Sequence, residues 1–219
     1  MKRGIFLAGG TLALIAYLGH REKTGKPILP GSKSTLYVDS EGRWRTSDHI
    51  DALVISYLEG LPNPPNSKER RVMSFFTSIE RVGAEFSIEP ALIAGIMDRE
   101  SGGDVSARGA VGEYGLMQVR PTTAQWLGYK GPEDLLSDPD VNLYYAAKYL
   151  RYQLDQFSGV PNKVYWAVAG YNAGTPQREN GKFKNQGYVD DVMEKTAGYA
   201  YFFNSVYNAY GRPPSGLWR

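Results

Sequence analysis

Hydrophobic side chains recur at helical spacing along most of the chain. Between residues 47 and 210, apolar positions recur three and four residues apart, which places them on one face of an α-helix. Pro90, Pro121 and Pro139 stand where proline favours the first turn of a helix. The segment 91–97, ALIAGIM, is apolar all round, which predicts a buried helix. Helices are therefore predicted at about 47–58, 67–86, 90–100, 121–127, 139–157, 162–171 and 188–210, and a polar loop at 174–187.

The N-terminal segment 1–19 has a different pattern. Lys2 and Arg3 precede an apolar run at 4–19, GIFLAGGTLALIAYLG, as in an export signal or a membrane anchor. At ~1.5 Å per residue the run spans roughly 24 Å, less than the ~30 Å hydrocarbon core of a bilayer, which favours a signal segment. The following HREKTGK offers no small-residue cleavage site, which favours an uncleaved anchor. A buried helix of a soluble protein is a third interpretation.

The polar segment that follows predicts a linker and a small hairpin. Residues 20–33 are polar and contain glycine and proline, which is typical of a linker. Two short stretches, 35–38 and 43–45, flank the turn sequence DSEG at 39–42. This arrangement predicts a β-hairpin.

The helix predicted at 47–58 carries an apolar face that must be buried, either on the rest of the chain or on a protein partner. After it, GLPNPPN at 60–66 breaks the helical pattern. We therefore divide the chain into a hydrophobic signal or anchor segment at 1–19, a linker and adaptor at 20–66, and a main helical domain at 67–212.

Composition excludes several kinds of chemistry. The 219 residues include no cysteine and 2 histidines, which excludes a disulfide framework, a thiol nucleophile, a zinc–thiolate site and a multi-histidine metal site. The net charge of +2 is too balanced to indicate a nucleic-acid partner. The 16 tyrosines either fill half-buried helix faces or line a groove for a polar polymer, since tyrosine pairs a flat apolar ring with a hydroxyl.

Glu100 is the main candidate for catalytic chemistry. It lies at the end of the apolar helix, where its side chain stacks over Ile96 and Met97. Apolar surroundings disfavour the charged form of a carboxyl and raise its pKa. A carboxyl that stays protonated near neutral pH suits general-acid catalysis. The alternative is a solvated residue at a helix end.

A second carboxylate is harder to assign, although many glycosidases use two. Asp98 lies about 200° around the helix from Glu100 and is expected to be a solvated surface charge. Asp104 follows two glycines, which leave its direction open. Glu113, in a glycine-punctuated stretch, is a candidate auxiliary acid.

Two glycine-containing clusters are candidate ligand-binding loops. The sequence GLMQ at 115–118 combines a glycine, which lets the backbone approach a ligand, with Gln118, which both donates and accepts hydrogen bonds. The sequence AGYNAG at 169–174 closes a predicted helix. A tight turn and an ordinary glycine helix end are the structural alternatives.

These three features occur in an order that carries a resemblance. Glu100-Ser101, GLMQ at 115–118 and AGYNAG at 169–174 together resemble the catalytic domain of the soluble lytic transglycosylase (SLT) family. The fifteen-residue offset from Glu100 to the first glycine of GLMQ is also typical of that family, and the match covers about 70–205. The resemblance implies a mainly α, lysozyme-like helical domain, here preceded by a hydrophobic helix and a small adaptor with a β-hairpin.

The resemblance also implies an activity. It implies cleavage of the β-1,4 bond between N-acetylmuramic acid and N-acetylglucosamine in peptidoglycan, with formation of 1,6-anhydromuramic acid. In that family one glutamate is both acid and base, and it corresponds here to Glu100. The resemblance therefore implies that no metal or cofactor is needed. Ser101 is expected to orient Glu100. The further residues expected to bind substrate are Gly115, Leu116, Met117, Gln118, Tyr171, Asn172, Ala173 and Tyr188.

The sequence departs from the family pattern at two places. Glu113 stands where the family usually has a small residue, and the stretch 114–119 is also similar to goose-type lysozymes, which hydrolyse with water and an acidic helper. Gln186-Gly187 replace the Glu-Thr pair that usually precedes the late tyrosine, here Tyr188. A hydrolytic muramidase and a non-catalytic peptidoglycan-binding module therefore remain alternatives.

The resemblance and the N-terminal pattern together predict the partners, the location and the role of the protein. The expected partners are peptidoglycan strands, a membrane through residues 4–19, and an envelope or virion protein through residues 20–66. The expected location is the inner membrane facing the periplasm and cell wall, or an exported or virion-associated state. The expected role is local opening of the cell wall, in an envelope machine, in conjugation, or in phage entry or lysis.

Overall fold

The chain forms a helical domain with two pairs of short antiparallel strands, seen in a computed structural model that describes residues 36–38 and 44–210. The elements are β1 (Leu36–Val38), β2 (Trp44–Thr46), α1 (Ser47–Leu58), α2 (Ser67–Met73), α3 (Phe76–Phe86), α4 (Pro90–Glu100), α5 (Pro121–Trp126), a 3₁₀ helix (Glu133–Ser137), α6 (Pro139–Gln156), α7 (Lys163–Ala173), β3 (Arg178–Glu179), β4 (Lys182–Phe183) and α8 (Gln186–Tyr210).

Helix α4 lies at the centre and packs most closely against α8. The segment 91–97 is buried throughout, as its apolar sequence predicts. Gly95 faces Thr196 of α8, and a Cβ at Gly95 would lie 2.5 Å from Thr196 Oγ1 and 2.9 Å from its backbone nitrogen. Only glycine permits this approach, so the close α4–α8 contact depends on Gly95. This contact fixes the helix that ends in Glu100 against the helix that begins near Tyr188.

Helices α6 and α7 form the other wall of the domain. Asp138 caps α6, because its Oδ1 accepts hydrogen bonds from the N–H groups of Asp140 (3.1 Å) and Val141 (3.2 Å). The sequence predicts this helix start correctly. Gln153 of α6 lies against Gly170 of α7, where a Cβ would clash with the Gln153 amide. The two helices therefore approach through a glycine, as α4 and α8 do.

The N-terminal elements attach to this domain. Strands β1 and β2 pair antiparallel, with Leu36 opposite Thr46 and Val38 opposite Trp44. The backbone N–H and the hydroxyl of Thr77 donate to the carboxylate of Asp51 on α1, at 2.9 and 3.0 Å.

Leu58 of α1 is fully buried, and the Tyr57 hydroxyl donates to the Ser205 carbonyl at 3.1 Å. The apolar face of α1 is therefore covered by the domain itself, although Leu53 remains exposed. The apolar run at 4–19, which is predicted to be a signal or an anchor, lies outside the described residues. So does the turn predicted at 39–42. Among the helices that the structure describes, none has the length and apolar character needed to cross a membrane.

Two predictions of local structure are wrong. The helix predicted over 67–86 is divided at Ser74, whose Oγ donates to the Arg71 carbonyl at 2.7 Å. Serine side chains compete with the helix for backbone groups in this way. The start of α2 is capped by Asn66: its side chain accepts from backbone N–H groups, while Glu69 accepts from the Asn66 N–H.

The segment 174–187, predicted to be a polar loop, contains the hairpin β3–β4. Its turn is Asn180-Gly181, with φ of 50° and 81°. Two-residue hairpin turns need positive φ at both positions, which Asn-Gly supplies. The dipeptide therefore carries the signal for a hairpin.

Candidate active site

A cleft of about 540 Å³ opens between the end of α4, the loop before α5, and the walls of α6 and α7. Among the described residues, Glu100 and Glu113 are the carboxylates that line it. Gln118, Tyr171, Asn172 and Ala173 line the cleft as well, so much of the predicted site is assembled in one place.

Glu100 ends α4 with its side chain half-buried in this cleft. The Tyr188 hydroxyl donates a hydrogen bond to Glu100 Oε1 at 2.6 Å. Burial raises the pKa of Glu100 above its usual value, and the negative charge of Glu113 adds to this. The Tyr188 hydrogen bond and the Arg99 charge act in the opposite direction but are outweighed. Glu100 is therefore a carboxyl whose protonated form is favoured by its surroundings.

Tyr188 is held so that its hydroxyl faces Glu100. Its side chain is buried near the start of α8, and Arg99 lies over its ring at 5.6 Å. Burial, together with the nearby charge of Glu100, raises the pKa of the Tyr188 phenol, so the hydroxyl stays protonated and keeps donating. The structure thus brings the late tyrosine of the motif against the candidate acid, although 88 residues separate them.

We expect Tyr188→Phe to change the pH dependence of any reaction that uses Glu100. Without the hydroxyl, the charged form of Glu100 loses a donor and its pKa rises, so the alkaline limb of the pH–rate profile moves to higher pH. The loss of positioning is expected to lower kcat on the order of tenfold to a hundredfold. Rates measured across a pH series for both proteins test this. An unshifted alkaline limb would show that the hydrogen bond does not control Glu100.

Glu113 lies in the same cleft but in a different environment. Its Oε1 accepts from Arg120 Nε at 3.0 Å, and its Oε2 accepts from the Val111 N–H at 3.2 Å. Burial alone would raise the pKa of Glu113. The pKa is nevertheless below its usual value, because the carboxylate accepts these two hydrogen bonds and a third from its own backbone N–H, and because the positive charge of Arg120 is close. Glu113 is therefore an ionised carboxylate bound to Arg120.

The loop 115–118 is positioned by Asn142, which sequence reasoning missed. Asn142 is fully buried on α6, and its Nδ2 donates to the carbonyls of Tyr114 and Leu136, both at 2.7 Å. Its Oδ1 accepts from the Met117 N–H at 2.8 Å. Gly115 has φ of +66°, and a Cβ there would lie 2.9 Å from Asn142 Nδ2. Gly115 thus supports the loop and does not itself contact the cleft.

Leu116 and Met117 do not line the cleft, so the expectation that their side chains bind substrate is wrong. Both residues are fully buried, so neither side chain is accessible to a glycan. Ser101 also differs from expectation: within the described structure its hydroxyl donates to the Leu116 carbonyl at 2.7 Å and not to Glu100. Ser101 therefore joins the end of α4 to the loop, which fixes the loop relative to Glu100.

The remaining motif residues form the accessible wall of the cleft. Gln118 adopts φ of 50° and donates from Nε2 to the Gly115 carbonyl at 2.9 Å. The Tyr171 hydroxyl donates to the Met117 carbonyl at 2.9 Å, which links α7 to the loop. Asn172 is exposed and accepts from Asn185 Nδ2 at 3.0 Å, while Ala173 is exposed beside it.

The expectation that Asp98 is a solvated surface charge is also wrong. Asp98 is 3% exposed, and its carboxylate contacts Lys68 Nζ at 2.9 Å, Lys195 Nζ at 3.2 Å and the Tyr199 hydroxyl at 2.7 Å. Burial alone would raise the pKa of Asp98, but these partners lower it. Asp104, in contrast, is exposed and accepts hydrogen bonds from Ser106, away from the cleft.

The chain matches a known family over more than half its length. The family model described as the transglycosylase SLT domain matches residues 77–194, which include Glu100, the loop 115–118 and Tyr188. The chain belongs to this family. The resemblance noted in the sequence is thereby confirmed, as is the expectation of a mainly helical, lysozyme-like domain.

Proteins of a phage and of bacteria are similar to this SLT-family chain. A transglycosylase of Enterobacteria phage PRD1 is 33% identical over 56% of this chain and 43% of its own. The endo-type membrane-bound lytic murein transglycosylase A of Klebsiella pneumoniae is 33% identical over 40% of this chain and 48% of its own. The chain therefore spans about half the length of these relatives. The structure of an inactive mutant of the lytic transglycosylase Slt from Pseudomonas aeruginosa has a TM-score of 0.53 and 26% identity, over 62% of this chain and 25% of that one.

Proposed function

We propose that this chain is a peptidoglycan lytic transglycosylase. The observation that carries the proposal is Glu100, a carboxyl in an open cleft whose pKa is raised by burial and which is held by the Tyr188 hydroxyl at 2.6 Å. The names of the SLT-family relatives support the same activity. The substrate is the β-1,4 bond between N-acetylmuramic acid and N-acetylglucosamine.

In the first step protonated Glu100 acts as a general acid. Its proton passes to the glycosidic oxygen, the bond from that oxygen to muramic C1 breaks, and the electron pair leaves with the N-acetylglucosamine hydroxyl. Positive charge then develops at C1, where the N-acetyl group of the substrate stabilises it. The burial that raises the pKa of Glu100 keeps the proton available for this step.

In the second step the Glu100 carboxylate acts as a base. It takes the proton of the muramic C6 hydroxyl while the C6 oxygen forms a bond to C1, which closes the 1,6-anhydro ring. Glu100 is protonated again and no water is consumed. The Tyr188 hydroxyl donates to the carboxylate during the interval in which it is charged. Gln118, Tyr171 and Asn172 lie where they would contact the sugar rings in the cleft.

A hydrolytic muramidase is the second candidate, and Glu113 is the observation that favours it. Glu113 lines the same cleft, and its lowered pKa keeps it ionised, as a base that activates water must be. Its contact with Arg120 at 3.0 Å competes with that role, since a carboxylate bound to arginine is a weaker base.

The two candidates differ in their products. From purified sacculi we expect muropeptides that end in 1,6-anhydromuramic acid, which are lighter by one water molecule than products ending in reducing muramic acid. In the transglycosylase reaction Glu113 transfers no proton, so Glu113→Gln is expected to change the rate less than about tenfold. Loss of a group that does transfer a proton costs about 10²–10⁴-fold. Mass spectrometry of the released muropeptides checks both expectations. Reducing ends throughout, with activity lost in Glu113→Gln, would establish the hydrolase.

We further infer that the enzyme acts at the cell envelope or in a virion. A membrane-bound relative and a phage relative support this location. Residues 4–19 would attach the chain to the inner membrane or direct its export, and residues 20–66 include the segment available to an envelope or virion partner. Local opening of the cell wall is the role that fits both relatives.

A further inference from the structure

A row of aromatic rings continues from the cleft onto the open surface. Tyr171 and Tyr149 line the cleft, with ring centroids 5.5 Å apart. Tyr152 stacks on Tyr149 outside the cleft, at 6.3 Å and an interplanar angle of 15°. Trp126 meets Tyr152 edge to face at 4.8 Å. We call Trp126 and Tyr152 the outer aromatic pair.

The outer aromatic pair is exposed although its rings are large. Trp126 is 59% exposed and Tyr152 is 37% exposed. Tryptophan is highly buried on average in folded proteins, so a tryptophan that is mostly exposed and rests on a second exposed ring is an informative observation. The two side chains come from different helices, α5 and α6, and meet ring to ring although 26 residues separate them.

The helices place this pair in line with the cleft wall. Trp126 lies one turn after Thr123 on α5, and Tyr152 lies one turn after Tyr149 on α6. Thr123 and Tyr149 both line the cleft. Residues three apart on a helix share a face. Tyr152 and Trp126 therefore lie one turn beyond the cleft residues Tyr149 and Thr123, on the same helix faces.

The chemistry of the pair suits a sugar ring. Pyranose rings present C–H groups on their faces and hydroxyl groups at their edges. Tryptophan and tyrosine offer flat apolar faces with a polar N–H or O–H at the rim, so they match both parts. The second ring of the stack, Tyr149, accepts a hydrogen bond from Gln153 Nε2 at 2.9 Å, which fixes the ring on which Tyr152 rests. The outer pair is therefore supported from the α6 side.

We propose that Trp126 and Tyr152 form an outer sugar-binding site, which holds a residue of the peptidoglycan glycan strand beyond those in the cleft. The identity of the strand rests on the proposed function. The site gives the enzyme a preference for long strands, because only a strand that extends past Tyr149 reaches it. Short fragments occupy the cleft alone.

Binding of glycan strands of defined length tests this site. The probe is peptide-free peptidoglycan glycan, sorted by length, and the parent protein is the full chain with Glu100→Gln, so that no cleavage disturbs the measurement. Adding Trp126→Ala or Tyr152→Ala is expected to weaken binding of long strands about threefold to tenfold, the range for one aromatic contact. Binding of the shortest strands that the parent retains is expected to be unchanged. Calorimetry measures both.

Tyr201→Ala is the matched control. Tyr201 is 39% exposed, close to the value for Tyr152, but lies on α8 away from the row of rings. The variant with Tyr201→Ala added to the parent is expected to bind glycan strands of every length as the parent does. Thermal unfolding of each variant checks that the exposed substitutions leave the fold intact.

The outcomes separate this site from the proposed function. Equal binding by the parent and both variants, an equal loss at every length, or a parent that binds no strand would each overturn the outer site. The proposed function is judged separately, by whether the wild-type chain releases anhydro products from sacculi. A chain that releases products but shows no length-dependent loss keeps its function and lacks the outer site.

Discussion

Glu100→Gln is expected to abolish the release of soluble muropeptides from peptidoglycan while the protein stays folded. Glutamine keeps the size of the side chain and can still hydrogen-bond to Tyr188, but it can neither give nor take the proton that the reaction needs. General acid–base catalysis contributes about 10²–10⁴-fold, and here one carboxyl carries both steps. We therefore expect a loss of at least about 10³-fold, measured by chromatography of the products.

Asp104→Asn is the control for this change of carboxylate to amide. Asp104 is exposed, four residues after Glu100, and bonds to Ser106 instead of lining the cleft. The control is expected to keep the wild-type rate. Activity above a few per cent in Glu100→Gln would contradict the assignment of Glu100. Tight binding to sacculi by the wild-type chain, with no product at all, would favour a binding module.

Glu100→Gln is also expected to stabilise the protein at neutral pH. Burial raises the pKa of Glu100, so the folded state holds this proton more tightly than the unfolded state does. A raised pKa contributes stability at low pH that is lost as the pH rises through the folded pKa. Glutamine cannot ionise and escapes this loss. Chemical unfolding near neutral pH, compared between wild type and Glu100→Gln, measures the difference.

The sequence predicted the parts of the site that depend on local pattern. The buried helix α4 follows from its unbroken apolar run, and the position of Glu100 over Ile96 and Met97 predicts a raised pKa, which the structure bears out. The approximate limits of most helices follow from proline, glycine and the spacing of apolar residues. These are short-range signals, because each depends on residues within one or two turns.

The sequence could not predict contacts between distant segments. Asp98 faces away from Glu100, as helix geometry requires, but the side it faces is covered by Lys68, Lys195 and Tyr199. Nothing within one turn of Asp98 indicates these partners. A carboxylate with no local partner is therefore predicted to be solvated, although the fold supplies two lysines and a tyrosine hydroxyl.

The loop 115–118 shows a different limit. A motif indicates that residues act together but does not distinguish those that touch a ligand from those that hold the loop in place. Gln118 lines the cleft, whereas Leu116 and Met117 are buried beneath it. The buried partner of the loop, Asn142, lies 25 residues after Met117 on a helix whose spacing gives no sign of this role.

Asn142→Asp is expected to destabilise the protein at neutral pH by about 3–5 kcal/mol, the range for an uncompensated buried charge. The two side chains have nearly the same shape, so packing is unchanged. The carboxylate loses the donor that serves the carbonyls of Tyr114 and Leu136, and instead places a negative oxygen near both. Denaturant unfolding measures the loss, and Asn204→Asp, at an exposed position of α8, is the control.

The pH dependence of this loss identifies its cause. Burial beside two carbonyl oxygens disfavours the charged form of the carboxyl that Asn142→Asp introduces, so its pKa in the folded state is expected to exceed the unfolded value of about 3.9. A raised folded pKa means that the stability contribution is present at low pH and is lost as the pH rises. The difference in free energy of unfolding between Asn142→Asp and wild type should therefore decrease toward about pH 4, where a protonated carboxyl again donates to one carbonyl. A gap that stays constant with pH would indicate a packing defect and would contradict the role of Asn142 as the donor that holds the loop 115–118 beside Glu100.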